Sequence, residues 1–348
     1  MTTVLVAGIG HVGSHVAIRL LQEGYDVIGY DIKPSYKVDR SGNPFNPLFV
    51  RELEGVKFVK GSVIDFQQYL EVAKENDVDG IIHTPFAGLG SAGVDWSVAR
   101  DVNVTGVLNA LEITRMLNLR RLIYTSTGSV YGSRKDLTPI KATDRPHPDP
   151  RKYYYGLTKY LAEVMLDTYR DLYGVSAATI RLSVVHGGRE RMDPRIILAL
   201  EGKKIVFRIA PSGKERHDFT PRTHMKDTVS AICLLYTKPT DLKYTLYQVS
   251  SVKGITASGV AEALRKYIPQ ADIEVVAIPE SEWLEPEGTR RGPYAMERLL
   301  EEFGWRPKYT VQEGIEEDIE YYKELKEKEP AWYNEQVRRI ISAYTPPT

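Results

Sequence analysis

Residues 3–15 read T-V-L-V-A-G-I-G-H-V-G-S-H, and this stretch decides the fold. Thr3–Gly8 is a short apolar run ending in glycine, the pattern of a strand buried on both faces. Gly8, Gly10 and Gly13 then make G-x-G-x-x-G, and Val12, Val16, Leu20 and Leu21 follow at helical spacing. The three glycines serve a tight turn, close approach of backbone to a pyrophosphate, and tight packing of helix on strand. The helix N-terminus turns its partial positive charge toward the phosphates. Gly8, Gly10, His11, Val12 and Gly13 are therefore candidate cofactor contacts, His11 through its backbone rather than its ring.

Outward from this turn the first half alternates strands with helices. Tyr25–Asp31 reads as the second strand, Val56–Lys60 as the third and Gly80–His83 as the fourth. Arg121–Ser126 and Ala177–Leu182 are the fifth and sixth, with helices near 66–76, 96–118 and 153–173 between them. Apolar strands alternating with helices predict a Rossmann-type, doubly wound parallel α/β sheet covered on both faces. Pro34, Gly42, Pro44 and Pro47 make residues 32–54 a long excursion off the second strand.

The second half is less regular. Charge, Pro194, Pro211 and Gly213 surround one helical piece, Ile196–Leu200, within Arg189–His217. Residues 255–268 and 294–303 look helical, with a strand at Ile273–Ile278 and a terminal helix at Ala331–Ala343. The expected division is a cofactor domain of 1–183 plus about 216–250 and a smaller α/β substrate domain of about 184–215 and 251–330. Residues 331–348 are a C-terminal helix and tail, frayed at Pro346 and Pro347.

Composition narrows the function. The 348 residues carry 46 Lys plus Arg against 46 Asp plus Glu, so the formal charge is zero. A binder of nucleic acid or of an anionic membrane needs a basic excess, and none is present. A single cysteine, Cys233, permits no internal disulfide and no cysteine-based metal cluster, and its apolar neighbours Ile232 and Leu234 mark it as core. No His/carboxylate group has metal-ligand spacing, so no metal is expected. No apolar run approaches the ~20 residues of a membrane span. Met1 leads straight into the first strand without the pattern of a signal peptide. These features predict a cytoplasmic protein acting on a small molecule.

Asp31 ends the second strand, where a carboxylate accepts hydrogen bonds from a ribose diol and repels a 2′-phosphate. The expected cofactor is NAD, although Lys33 and Lys37 leave room for NADP. Tyr155 and Lys159 stand four residues apart on one helix face, a phenol and an ammonium together. A neighbouring cation favours the phenolate and moves an otherwise weak acid toward working pH. The pair opens the helix after the fifth strand, so it reaches the carboxyl edge of the sheet, where open α/β folds bind ligands.

The chain resembles an extended short-chain dehydrogenase/reductase of the NAD-dependent epimerase/dehydratase family over nearly its whole length. The resemblance rests on V-A-G-I-G-H-V-G-S-H at 6–15, D-V-N-V-T-G at 101–106 and Y-T-S-T-G-S-V-Y-G at 124–132. Tyr155/Lys159, R-L-S-V-V-H-G at 181–187 and F-G-W-R-P at 303–307 continue it. It implies that Tyr155 is the acid/base, that Lys159 holds the nicotinamide ribose and tunes Tyr155, and that Thr127 binds the reacting oxygen. It places Ser62, Val63, Thr84, Asn103 and Thr125 among the cofactor contacts. About the substrate it places Phe86, Ser129, Val184, His186, Arg222 and Arg291. Helices 96–118 and 153–173 would form a homodimer interface.

Departures from the family pattern are as informative. Ala7 stands where a first glycine is usual. Dehydratases resemble T-D-E and decarboxylases T-S-E where this chain has Thr127-Gly128-Ser129, so the acid that removes water is missing. No cysteine supports a 3,5-epimerase proton shuttle. Val184 replaces the asparagine that holds a sugar nucleotide's diphosphate, which leaves Arg189, Arg191, Arg222 or Arg291 to bind phosphate. The register of 204–224, with its His217-Asp218-Phe219, stays open. The bland readings are packing for His83, an ordinary loop for His186 and a solvated helix face for the charge run Glu316–Lys328.

The expected activity is an NAD-dependent sugar epimerase, 4-epimerase-like, acting on a nucleotide-linked or related sugar by transient oxidation of a secondary hydroxyl. The alternative, which Val184 favours, is a net dehydrogenase or reductase of a non-nucleotide alcohol or ketone. A non-catalytic dinucleotide sensor is the third reading, and intact Thr127, Tyr155 and Lys159 argue against it.

Overall fold

A computed structural model describes residues 2–39, 42–88, 95–132, 134, 138–148, 154–190, 192–212, 221–251, 255–282 and 292–344. Arg191, Arg291, Gly213, His217-Asp218-Phe219, Pro346 and Pro347 lie outside them.

The chain begins β1 (Thr3–Ala7), α1 (His11–Gln22), β2 (Asp26–Asp31), α2 (Pro47–Glu52), β3 (Lys57–Lys60), α3 (Phe66–Glu75) and β4 (Val78–His83). It continues through α4 (Trp96–Arg100), a π-turn (Asp101–Thr105), α5 (Gly106–Met116), β5 (Arg121–Thr127), α6 (Tyr154–Tyr173) and β6 (Ala177–Leu182). The second half holds β7 (Val184–His186), α7 (Pro194–Leu200), β8 (Ile205–Ile209), β9 (Arg222–His224), α8 (Met225–Thr237) and β10 (Leu246–Val249). Then come α9 (Ala257–Tyr267), β11 (Ile273–Ala277), α10 (Glu297–Phe303), α11 (Val311–Lys328) and α12 (Pro330–Ala343).

Seven strands form one parallel sheet in the order β10-β6-β5-β4-β1-β2-β3. The expected Rossmann-type architecture is thus present. The order reverses between β1 and β4, and a crevice opens at the carboxyl ends of strands at such a switch point. Thr84 closes its base: its N–H bonds the Ala7 carbonyl at 2.9 Å, and its hydroxyl bonds the Gly8 carbonyl at 2.7 Å. Val4, Val6, Ile82 and Ile123 bury one face of the sheet under α1 and α8, while Leu5, Ile81, Leu122 and Tyr124 bury the other under α3, α5 and α6.

A separate core joins α7, β8, α9, α11 and α12, through residues such as Ile197, Phe207, Leu264, Ile319 and Val337. Leu299 and Trp305, expected in the smaller half, pack instead in the core under α1 and α8. The second half also holds strands that the sequence pattern leaves as loop. β8 pairs in parallel with β11, β7 pairs with β9, and β10 extends the main sheet beside β6. The expected helix 96–118 is interrupted by the π-turn at Asp101–Thr105, which carries Asn103. α11 is amphipathic rather than a solvated run: Ile319, Tyr322 and Leu325 are buried along it.

Candidate active site

The carboxyl edge of the sheet opens into a cavity of about 740 Å³. Its floor is the glycine turn. Gly8 has φ +84°, and a Cβ on Gly13 would stand 1.8 Å from the Gly8 carbonyl oxygen, so neither position accepts a side chain. Gly10 instead faces open space, and it begins α1 without any side-chain cap. The first N–H groups of α1 are thus left to an anion, which suits the pyrophosphate of a dinucleotide. Asp31, buried at the end of β2, lines the same cavity and takes the Lys33 N–H at 3.1 Å. These residues fit NAD.

Lys33 lies inward: its ammonium bonds the Ile9 carbonyl and sits 4.7 Å over the Phe45 ring, while Lys37 is exposed. His11 is expected to matter more through its backbone than its ring, and the ring has a partner of its own. Nδ1 of His11 lies 2.5 Å from Glu190, which ties the glycine turn to the segment after β7. His15 adds to that tie, with Nδ1 bonding the His11 carbonyl at 2.8 Å and Nε2 accepting the Arg189 N–H at 3.2 Å.

Thr84, Phe86, Thr125, Thr127, Tyr155 and Lys159 share the opposite wall. Tyr155 is in the first turn of α6, its ring 5.8 Å from that of the half-exposed Phe86. Lys159, one turn later, is 2% exposed, with its ammonium 4.5 Å over the Tyr124 ring. Burial holds its pKa down to about 7, against an opposing upward pull from Glu163. Thr127 caps the turn at Gly128–Tyr131: its oxygen accepts the Ser129 N–H at 3.2 Å and its hydroxyl points to Ser129 Oγ at 3.3 Å.

Several expected contacts are not on the cavity wall. Asn103 is fully buried and bonds both polar groups of Ala87, at 2.8 and 2.7 Å, and Thr158 at 3.0 Å. From its place in the π-turn it pins the loop after β4 to α6. Ser62 and Val63 stand just beyond Gly61, whose N–H bonds the Asp31 carbonyl at 2.9 Å. The Ser62 carbonyl takes the Tyr30 hydroxyl and the Val63 carbonyl takes Asn109. Ser129 is buried under Gly156, and Val184 is 48% exposed at the outer end of β7.

The far end of the cavity is built by residues that no sequence motif singles out. Met192, Asp193, Arg195, Asp318 and Tyr322 join His186 and Arg222 there. Asp193 caps α7 and holds Arg195 through two side-chain bonds, at 3.1 and 2.6 Å. Asp193 Oδ1 also accepts the Arg195 N–H at 2.8 Å. Among the described residues Arg222 Nε is buried without a hydrogen-bond partner. Burial, together with acidic neighbours led by Asp193, raises the pKa of Asp318 to about 8. The available signal was α11 itself, where Asp318 and Tyr322 stand four residues apart on one helix face. Burial also depresses His186, first by desolvation and then by His224, to about 3.

Residues 4–250 match the model of the NAD dependent epimerase/dehydratase family. The UDP-glucuronate 4-epimerase of Thermodesulfobacterium geofontis is 26% identical, covering 92% of this chain and 96% of its own. The UDP-glucose 4-epimerase of Thermotoga maritima, solved with UDP-glucose, superposes with a TM-score of 0.75 at 24% identity, over 93% and 99% of the two chains. The dTDP-glucose 4,6-dehydratase of Bacillus anthracis, solved with NAD, gives 0.73 at 25% identity over 94% and 98%. The chain belongs to the NAD dependent epimerase/dehydratase family, enzymes of the extended short-chain dehydrogenase/reductase type whose cofactor is NAD.

Proposed function

We propose that this enzyme is a 4-epimerase of a nucleotide-linked sugar. The observation that carries the reading is the wall formed by Thr127, Tyr155 and Lys159, with no carboxylate in Thr127-Gly128-Ser129 to drive an elimination. NAD, when bound, supplies the hydride acceptor and donor. Tyr155 takes the proton of the sugar hydroxyl and returns it after inversion, with the Lys159 charge favouring its phenolate. Thr127 exchanges its 3.3 Å contact with Ser129 for a hydrogen bond to the reacting oxygen. Phe86 offers an apolar face beside Tyr155 for the sugar ring. Arg222 meets the substrate's phosphates in place of the asparagine that Val184 replaces, because an arginine suits that recognition. Among the described residues His186, Met192 and Tyr322 complete the pocket.

The same reading takes the protein as a cytoplasmic homodimer. Trp96, Val98, Met116, Leu161, Val164, Leu172 and Tyr173 on α4, α5 and α6 are exposed apolar side chains. A second copy laid on these helices would bury them. No helix among the described residues is long and apolar enough to cross a membrane.

The test is to purify the protein, assay it for co-purifying NAD, and follow UDP-glucose and UDP-glucuronate by NMR. Inversion at C4 without accumulating NADH is expected. Stoichiometric NADH release with a single alcohol would replace this reading with a net dehydrogenase.

A further inference from the structure

Beneath Lys159 lies a buried polar network with no part in the chemistry described so far. Glu163 follows Lys159 by one turn of α6 and is 5% exposed. Its carboxylate accepts hydrogen bonds from Ser126 Oγ and from Arg181, through Nε at 3.0 Å and Nη2 at 2.6 Å. Arg181, buried on β6, extends to the Tyr131 hydroxyl at 2.5 Å, and Tyr131 donates to Gln248. Gln248 in turn holds the carbonyls of Ile140 and Ala295 at 3.0 Å. Ser126 lines the cavity directly before Thr127, so the network begins at the reaction site.

Different elements face the Lys159 ammonium. β4 presents His83, which among the described residues has no hydrogen-bond partner on either ring nitrogen. Burial, and then the Lys159 charge, push His83 down to about 3, so it is neutral. β5 presents the Tyr124 ring, and Glu163 stands one turn further along α6. Among the described residues Glu163 is the acid that opposes the cost of burying this ammonium.

We propose that Glu163 is a positioning residue for the acid–base step: held by Arg181 and Ser126, its carboxylate keeps Lys159 charged, and through Lys159 it makes Tyr155 a phenolate near neutral pH. The inference rests on the Tyr155–Lys159 reading above. A neutral lysine would leave the tyrosine near its ordinary acidity, so loss of the carboxylate weakens the base without touching it. Arg181 fixes the carboxylate in place and at the same time screens it. The two halves of the pair therefore act on Lys159 with opposite sign.

That opposition supplies the test. Tyrosinate absorbance of the full chain, taken as the difference from the Tyr155→Phe variant, is titrated with NAD bound. Glu163→Gln moves the phenolate midpoint upward by about one pH unit, and Arg181→Met moves it downward. A purely structural role would move both variants the same way or neither, and either result overturns the proposal. Should Glu163→Gln fail to fold around its unpaired arginine, Glu163→Gln/Arg181→Met removes both charges. A midpoint in that variant above that of Arg181→Met alone supports the proposal, and one equal to it or lower refutes it. The titration uses no sugar. Divergent midpoints in a protein that epimerises nothing would uphold the network and remove the proposed substrate reading, and turnover with coincident midpoints would do the reverse.

Discussion

A Cβ on Gly128 would stand 1.5 Å from the hydroxyl oxygen of Tyr294. Tyr294 reaches this point from the far end of the chain, in a segment that pairs with Ile140 and is held by Gln248. Position 128 is where dehydratases of this kind carry an acid. Here a buried phenol already fills the volume that such a side chain needs, so the missing carboxylate is a consequence of packing as well as of sequence.

Gly128→Ala should therefore destabilise the fold by about 2–3 kcal/mol, the scale of overpacking a filled interior. Urea denaturation measures it, and adding Tyr294→Ala should recover part of the loss. A neutral Gly128→Ala would show that the phenol moves aside freely.

Tyr155→Phe should lower turnover by about 10²–10⁴-fold or more, the range of a lost acid/base group. NAD binding should persist, because the phenol is not part of the glycine turn. Calorimetric titration with NAD beside the sugar assay separates the two effects.

Asp31→Ala should weaken the preference for NAD over NADP, since the buried carboxylate is what meets a ribose diol at the end of β2. The ratio of dissociation constants for the two dinucleotides reads it out. An unchanged ratio would assign Asp31 to the loop alone, through its bond to the Lys33 N–H.

Arg222→Ala should raise KM for a nucleotide sugar more than it lowers kcat, because a phosphate contact remote from the reacting carbon binds ground and transition states alike. An equal fall in kcat and kcat/KM would place Arg222 at the chemistry instead.

Acid should unfold the protein through its buried histidines. Burial lowers His15 and His224 to about 4 and His83 and His186 to about 3, against an ordinary 6.5. As pH falls through 6.5 the unfolded chain takes up protons that the folded chain refuses, so stability drops with pH down to the folded values. The loss is on the order of 1–2 kcal/mol per histidine by pH 5. Melting temperatures at pH 7 and pH 5 measure it, and His186→Gln should flatten the slope.

The Rossmann half was legible because a parallel sheet buried on both faces needs unbroken apolar strands, and T-V-L-V-A, V-I-G-Y and L-I-Y-T are unbroken. The short β7 and β9 were not, since V-V-H and R-T-H carry no periodicity of their own and exist only by pairing with each other. I-V-F-R-I at β8 did carry a strand pattern, hidden among the charges and prolines that flank it.

The glycine turn, Asp31, Tyr155 and Lys159 were readable from residue type and spacing, because local backbone geometry dictates them, whereas Thr127 followed from the family resemblance. Tertiary structure alone decided what charges surround them. Asn103 became a pin for Ala87, His11 a partner of Glu190, and Asp318 a wall of the cavity. Glu163 met Arg181 across two elements, and Tyr294 met Gly128 from more than 160 residues away. Burial and Coulomb interactions depend on distance in space, and a sequence orders residues only along the chain.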